Sequence, residues 1–258
     1  MTLPDSPTLA GLFDLSGRTA IVTGASSGLG RRFARVLAGA GATVFAAARR
    51  TDRLTELAAT NPGIRPVACD VARLDDLGAL VEQASAASGR VDVLVNNAGL
   101  GGAPRVEDES PQLLEQVLDV NLVAVFELCR RVAAGAGDRG AAIINITSVL
   151  GMVAGYPLGG ASYAASKGAV ISLTRELAAQ WGRRGIRVNA LAPGWFRTEM
   201  TKELFADEKA SAFVDRNTML GRAGGSEELD GALLFLASAA SSYVTGQVLV
   251  VDGGWTAR

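Results

Sequence analysis

The sequence predicts an α/β protein with a doubly wound, seven-stranded parallel sheet flanked by helices on both faces. Short apolar runs alternate with amphipathic segments, and a glycine-rich turn joins the first strand to the first long helix. No Pro/Ser-rich linker or internal repeat interrupts the alternation. We therefore expect a single domain over residues 1–258, with a lead-in at residues 1–15.

Seven compact apolar runs have the length and continuity that are typical of parallel strands buried on both faces. They are Arg18–Thr23, Ala42–Ala48, Ile64–Cys69, Val91–Val95, Ala141–Thr147, Ile186–Leu191 and Gln247–Val251. Helical patterns follow Arg32 and cover residues 73–88, about 111–136, the stretch around residue 163, and 226–237. Residues of about 195–220 are less regular and are expected to form either a lid over the substrate or surface helices.

Composition excludes several classes of function. The net charge is −1 and no basic block stands out, so no nucleic-acid partner is expected. The absence of histidine excludes Ser-His-Asp and Cys-His catalysis, and no metal site is expected. Cys69 and Cys129 lie in apolar stretches and are interpreted as core residues. The N-terminus lacks the features of a signal peptide and no run is long enough to span a membrane, so we expect no membrane partner and a cytoplasmic location.

The first strand runs into Gly24-Ala-Ser-Ser-Gly28-Leu-Gly30, which opens a helix. A strand, a glycine turn and a helix present backbone N–H groups to phosphate, as in the Rossmann fold. The spacing differs from G-x-G-x-x-G, and a tight strand–helix connection is the alternative. We favour a dinucleotide-binding turn.

The end of the second strand bears on the choice of cofactor. Dinucleotide folds often place an acid there for the ribose hydroxyls, but this chain has Ala48, followed by Arg49 and Arg50. Because an arginine can hold a 2′-phosphate, NADP(H) is predicted in preference to NAD(H), which stays possible. The alternative is that both arginines merely end the strand in solvent.

Tyr163 and Lys167 are four residues apart, so on a helix they lie on one face. A cation about 4 Å from a phenol is worth about 4 kcal/mol, which would lower the tyrosine pKa to about 7. A phenol with that pKa is suited to general acid–base catalysis. Taken alone, however, this spacing usually marks a solvated helix face.

Together these landmarks resemble the short-chain dehydrogenase/reductase family over residues of about 15–255. The resemblance rests on five motifs: Thr23–Gly30, Asp70-Val71, Asn96-Asn97-Ala98-Gly99, Pro193-Gly194 with Thr198, and Tyr243–Gly254. It implies hydride transfer between nicotinamide C4 and a carbonyl or alcohol carbon. The catalytic residues that it implies are Asn121, Ser148, Tyr163 and Lys167.

The same resemblance assigns a role to each catalytic residue. Tyr163 would be the general acid or base, Lys167 would lower its pKa and contact the nicotinamide ribose, Ser148 would hold the substrate oxygen, and Asn121 would position a water. The expected cofactor-binding residues are Gly24, Ser26, Ser27, Gly28, Leu29, Gly30, Arg49, Arg50, Asp70, Val71, Asn97, Ala98, Gly99, Tyr163, Lys167, Pro193, Gly194, Phe196 and Thr198.

One departure concerns the substrate side. Ser148 and Tyr163 are fifteen residues apart, two more than is usual in the family, because of a glycine-rich loop around Tyr156. The predicted substrate-binding residues are Ser148, Tyr156, Tyr163 and Trp195, with Leu150, Met152 and Phe196 as further apolar candidates. They suggest a hydrophobic ketone or secondary alcohol, although such residues in loops are often only packing.

The resemblance also implies a homotetramer built on the long helices and the C-terminal strand. Three alternatives stay open: a non-catalytic nucleotide sensor, an S-adenosylmethionine-dependent methyltransferase, and a lyase or dehydratase that uses the same tyrosine.

Overall fold

Seven parallel strands form one sheet in the computed structural model, which describes residues 8–257. The strands are β1 (Thr19–Thr23), β2 (Thr43–Ala48), β3 (Ile64–Ala68), β4 (Val93–Asn96), β5 (Ala141–Ile146), β6 (Ile186–Pro193) and β7 (Val248–Val251). Their spatial order is β3-β2-β1-β4-β5-β6-β7, and every pairing is parallel. The predicted fold is confirmed, and the predicted strand ends differ from the observed ones by at most two residues.

The helices are α1 (Leu9–Phe13), α2 (Gly28–Gly39), α3 (Thr51–Ala59), α4 (Leu74–Ser88), α5 (Pro111–Leu118), α6 (Ala124–Gly135), α7 (Ala161–Trp181), α8 (Lys202–Ala206), α9 (Glu208–Asn217) and α10 (Asp230–Ala237). Alternate residues of β1 enter different cores, because successive side chains point to opposite faces of a strand. Val22 packs with Phe33 of α2 and Leu233 of α10, whereas Ile21 packs with Leu80 of α4 and Leu128 of α6. The sheet is therefore covered by helices on both faces.

The predicted helix over residues 111–136 is interrupted. A π-helical turn at Asp119–Val123 separates α5 from α6, and the fully buried Asn121 lies within it. Such turns widen the helix by one residue and are frequent at functional sites. Periodicity alone did not reveal the interruption, since apolar residues continue at helical spacing on both sides.

The less regular segment after β6 contains α8 and α9, which pack on a third apolar cluster. In this cluster Trp195 and Trp255 meet edge to face, with ring centroids 5.5 Å apart. Val214 and Leu150 are buried against them. The predicted lead-in contains α1, and its residues 1–7 lie outside the described part of the chain.

Both cysteines are buried and unpaired. Burial raises the pKa of Cys69 to about 11 and that of Cys129 to about 12, so neither thiol is a ready nucleophile. Within residues 8–257, no helix combines the length and the apolarity needed to cross a membrane.

Candidate active site

A cleft of about 520 Å³ opens at the carboxyl ends of the strands. β1 has β2 on one side and β4 on the other, so the strand order reverses there. Ligands of open α/β sheets bind at such a switch point. Every residue that the sequence assigned to the cofactor, Tyr163 and Lys167 among them, lines this cleft, as does Ser148.

The glycine turn is shaped by the close approach of two loops. Gly24 has a φ of 67°, and a Cβ there would come within 2.9 Å of the Ala98 Cα. A Cβ on Gly30 would collide with the Asn97 amide. Thr23 Oγ1 accepts hydrogen bonds from the backbone N–H groups of Asn97 and Ala98, both at 3.0 Å. Only glycine allows this packing, which holds the ends of β1 and β4 together.

The first turn of α2 is available to an anion. Ser27 is its N-cap residue, but the Ser27 side chain makes no capping hydrogen bond to the N-terminal N–H groups. Gly28, Leu29 and Gly30 all line the cleft. Uncapped N–H groups at a helix N-terminus favour a phosphate, and the close-packed glycines leave room for one. The turn therefore fits the diphosphate of a dinucleotide.

Two arginines at the end of β2 differ in their surroundings. Arg50 donates to both oxygens of Glu199 at 2.9 Å, and also to the hydroxyls of Ser26 at 3.2 Å and Ser27 at 2.7 Å. Arg49 is exposed and forms no hydrogen bond or ion pair with the described residues. Arg49 is thus available to a ligand, whereas Arg50 is already engaged.

Tyr163 and Lys167 lie in the first two turns of α7, and the Lys167 Nζ is 5.6 Å from the centre of the Tyr163 ring. Burial raises the pKa of the Tyr163 phenol, and its hydrogen bond with Ser148 opposes that rise only in part. Burial also lowers the pKa of Lys167 to about 8. The expected lowering of the tyrosine pKa toward 7 is therefore wrong for this structure.

The reason is the direction of the Lys167 side chain. Its ammonium donates a hydrogen bond of 2.9 Å to the carbonyl oxygen of Ile146, at the end of β5. Helical spacing places the two side chains on one face, but it does not aim the charge at the phenol oxygen. Loss of hydration on burial then determines the direction of the pKa shifts of both Tyr163 and Lys167.

The longer interval between Ser148 and Tyr163 is absorbed by a surface loop. After a short 3₁₀ turn at Val149–Gly151, the chain turns back at Gly155, whose carbonyl accepts from the Leu158 N–H at 2.7 Å. Ser148 and Tyr163 still line the same cleft, and the Ser148 hydroxyl still acts to lower the pKa of the phenol. The two additional residues therefore leave the Ser–Tyr pair intact.

Asn121 tethers a loop that lines the cleft. Its Nδ2 donates to the Leu100 carbonyl and to Ser166 Oγ, both at 2.9 Å, and its Oδ1 accepts from the Leu100 N–H at 2.8 Å. The buried amide is thereby fully satisfied, as burial requires. The side chain holds the segment after Gly99, which lies close to both Asn121 Oδ1 and Lys167 Nζ.

Comparison with known proteins agrees with this geometry. A family model described as enoyl-(acyl carrier protein) reductase matches residues 24–256. Gluconate 5-dehydrogenase of Gluconobacter oxydans is 41% identical over 251 residues, which cover 95% of this chain and 97% of that protein. The chain belongs to the short-chain dehydrogenase/reductase family.

Two further relatives show the breadth of this similarity. The 3beta-hydroxysteroid dehydrogenase 1 of Eggerthella lenta is 40% identical over 252 residues, covering 94% of this chain and 95% of that protein. A crystal structure of a gluconate 5-dehydrogenase from Burkholderia cenocepacia, in complex with NADP and tartrate, has a TM-score of 0.92 at 39% identity. It covers 97% of this chain and 100% of that chain. This short-chain dehydrogenase/reductase is an oxidoreductase.

Two predicted substrate residues of the dehydrogenase do not line the cleft. Tyr156 is 86% exposed at the tip of its loop. Trp195 is only 8% exposed and packs against Trp255. Both substrate roles stay predictions. Leu100 and Met200 line the cleft instead, although no sequence signal singled them out.

Glu199 is another cleft residue that sequence reasoning missed. It accepts from Arg50 and, at 3.1 Å, from Arg53 of α3. These arginines and Ser27 hold the pKa of Glu199 well below its usual range. The contact joins positions 149 residues apart, so nothing local in the sequence indicates it.

Proposed function

We propose that this chain is an NADP(H)-dependent ketoreductase or alcohol dehydrogenase. The observation that carries the proposal is the joint position of three side chains: the Ser148 hydroxyl is near enough to lower the pKa of the Tyr163 phenol, and Lys167 is buried with its Nζ 5.6 Å from the centre of the Tyr163 ring. All three line the cleft whose other end holds the glycine turn and Arg49. Such a cleft suits a dinucleotide whose reactive end meets a proton donor.

The residues of the cleft fit this cofactor. The uncapped first turn of α2 and the packed glycines would hold its diphosphate, and Arg49 would hold the 2′-phosphate. Pro193, Gly194 and Thr198 line the cleft near its nicotinamide end. When bound, the nicotinamide supplies or accepts the hydride, and the protein supplies orientation and electrostatics.

The chain's own residues would move the proton. In reduction, the Tyr163 phenol donates its proton to the substrate oxygen while Ser148 positions that oxygen through its hydroxyl. The raised pKa keeps the phenol protonated, as a proton donor requires. Lys167 places a positive charge beside Tyr163. Asn121 holds the adjoining loop in place through its hydrogen bond to the Leu100 carbonyl.

An apolar ketone or secondary alcohol is the proposed substrate class. Tyr163 packs against the third apolar cluster, as do the side chains of Leu158, Leu204, Phe205 and Phe213. Among residues 8–257, Lys167 is the only charged residue that lines the cleft beside Tyr163, because Arg49, Arg50, Asp70 and Glu199 belong to its cofactor end. The apolar part of a substrate would therefore meet little unpaired charge in the part of the cleft beside Tyr163.

A sugar acid is the second candidate. Gluconate 5-dehydrogenases are among the relatives, and a smaller pocket beside the cleft is lined by Arg197 and Lys202 and shares Thr198 with it. Arg197 stacks on Phe205, with the guanidinium carbon 4.5 Å from the ring centre. A substrate carboxylate that reached this pocket would find two cations.

A homotetramer in the cytoplasm completes the proposal. Leu114, Val123 and Phe126 are each at least 40% exposed along α5, the π turn and α6. Tyr243, just before β7, is fully exposed. Exposed apolar side chains on one helical stretch support an interface there. The two buried, unpaired thiols are compatible with a reducing compartment.

The deciding experiment follows the absorbance of NADPH and NADH against a panel of ketones. The panel contains a cyclic ketone, a 3-ketosteroid, a 3-ketoacyl thioester and 5-ketogluconate. We expect turnover with NADPH and an apolar ketone, loss of turnover in Tyr163→Phe, and no change in Tyr243→Phe. NADPH fluorescence should show that Tyr163→Phe still binds the cofactor.

The outcomes separate the alternatives. Activity retained in Tyr163→Phe excludes that tyrosine as the acid. Cofactor binding with a silent panel favours the nucleotide sensor. Preference for 5-ketogluconate, lost in Arg197→Leu, selects the sugar acid.

A further inference from the structure

Glu199 bridges two separate parts of the cleft. It lies on the loop after β6, and its carboxylate accepts two hydrogen bonds of 2.9 Å from Arg50 at the end of β2. Arg53 of α3 donates to the same carboxylate at 3.1 and 3.3 Å. The loop also lies against the glycine turn, since a Cβ on Gly28 would be 3.5 Å from the Thr198 Cβ.

The donors around this carboxylate would equally suit a phosphate monoester. Arg50 also donates to Ser26 Oγ and Ser27 Oγ, at 3.2 and 2.7 Å. Two guanidinium groups therefore converge on one anion, with two hydroxyls beside them, and guanidinium groups recognise phosphate through bidentate bonds. All three ionic partners are 40–47% exposed, so an anion from solvent can compete for the site.

We propose that Glu199 is an internal competitor for the 2′-phosphate and thereby sets the discrimination between NADP(H) and NAD(H). This inference rests on the proposed NADP(H)-dependent function. Arg49 is available to the phosphate, but Arg50 and Arg53 join it only after Glu199 withdraws. NAD(H) has no group that displaces the carboxylate, so it binds with the bridge in place.

The competition has a directional consequence. Neutralising Glu199 removes the competing charge and leaves three arginines for the 2′-phosphate. Affinity for 2′-phosphorylated ligands should therefore rise, while affinity for ligands without this phosphate should stay the same. A loop that merely closes over any bound nucleotide would instead change both affinities together.

The test is calorimetric titration of 2′,5′-ADP and 5′-ADP, which lack nicotinamide and need no turnover. Glu199→Gln should bind 2′,5′-ADP about tenfold more tightly than the wild type, with 5′-ADP unchanged. Glu203→Gln is the matched control. It removes the same charge from the neighbouring helix α8, where the exposed Glu203 side chain contacts no arginine among the described residues. Both affinities should be unaltered in this control.

Unchanged or weaker binding of 2′,5′-ADP by Glu199→Gln overturns the proposal, as does an equal change for both ligands. Glu199→Ala repeats the test without an amide that could itself bind the arginines. If the wild type turns over NADPH but Glu199→Gln binds 2′,5′-ADP with the same affinity as the wild type, the proposed role of Glu199 is wrong and the proposed function still stands. A wild type that binds and turns over neither dinucleotide defeats the proposed function itself.

Discussion

Lys167 donates a 2.9 Å hydrogen bond from its Nζ to the carbonyl oxygen of Ile146, and so its ammonium is tied to the end of β5. Lys167 is only 4% exposed, and burial lowers its pKa to about 8. A buried ammonium with one carbonyl acceptor is costly, because most of its hydration is lost. We interpret this cost as stability given up for function.

Replacing Lys167 by Met should therefore stabilise the ligand-free protein while abolishing turnover. The folded pKa of about 8 lies below the ordinary 10.5, so between these values the unfolded chain binds more protons, and the wild type gains stability as pH rises. At pH 7 the burial of the Lys167 ammonium therefore lowers the free energy of unfolding by its full amount, about 3 kcal/mol. After loss of one hydrogen bond, the net gain in Lys167→Met should be about 1–2 kcal/mol.

Urea unfolding of both proteins at neutral and alkaline pH checks this. The advantage of Lys167→Met should shrink as pH rises through the window between the two pKa values. A less stable variant at neutral pH contradicts the assignment of a strained, buried charge.

Tyr163 should titrate only above its ordinary pKa in the ligand-free protein. Burial opposes the phenolate, and the Ser148 hydrogen bond compensates only in part. Difference absorbance between the wild type and Tyr163→Phe isolates this single tyrosinate. A tyrosinate that appears near neutral pH would show that Lys167 acts directly on the phenol, as the spacing alone suggested.

These two residues illustrate how far sequence reasoning reaches here. The parallel sheet followed from apolar runs, and the cleft followed from the glycine turn, because strand ends in such a sheet must converge. The direction of the Lys167 side chain could not be predicted from the sequence, since it depends on the Ile146 carbonyl, 21 residues away. Contacts of this kind are set by tertiary packing rather than by local pattern.

The same limit explains why neither the π turn at Asn121 nor the contact between Glu199 and Arg50 was predicted. The π turn at Asn121 arises where its amide pairs with Leu100, and no hydrophobic period encodes that pairing. Glu199 meets Arg50 only because the loop after β6 folds back over the glycine turn. Trp195 was predicted to belong to an apolar substrate pocket, but it packs against Trp255 and does not line the cleft.

Asn121→Leu should destabilise the protein by about 2–4 kcal/mol and weaken NADPH binding. The change removes three hydrogen bonds, two of which hold Leu100 at the wall of the cleft. Ser166→Ala removes only one of them, together with the Ser166 hydrogen bond to the Tyr163 carbonyl, and should cost about 1–2 kcal/mol. Chemical unfolding and NADPH fluorescence measure the two effects. Equal losses in both variants would mean that the Leu100 tether contributes nothing.

Arg49→Asp should shift the preference from NADP(H) toward NAD(H) by at least about tenfold in kcat/KM. Arg49 is exposed and unpaired among the described residues, so its loss breaks no contact of the fold. Arg35→Asp, on the exposed face of α2, changes the net charge equally and controls for the overall field. If the ratio of the two efficiencies does not move, Arg49 does not hold the phosphate.

Phe126→Glu should dissociate the proposed homotetramer while preserving the fold. Phe126 is 47% exposed on α6, so a charge there costs little in a monomer but would be desolvated in an interface built on the long helices. Light scattering should give a lower mass for this variant than for the wild type. Leu74→Glu, at the exposed start of α4, is the matched control, because Leu74 is 51% exposed and lies outside the α5–α6 stretch proposed as the interface. An equal mass for the wild type and Phe126→Glu would place the interface elsewhere, and exposed apolar side chains on α6 would then be ordinary surface.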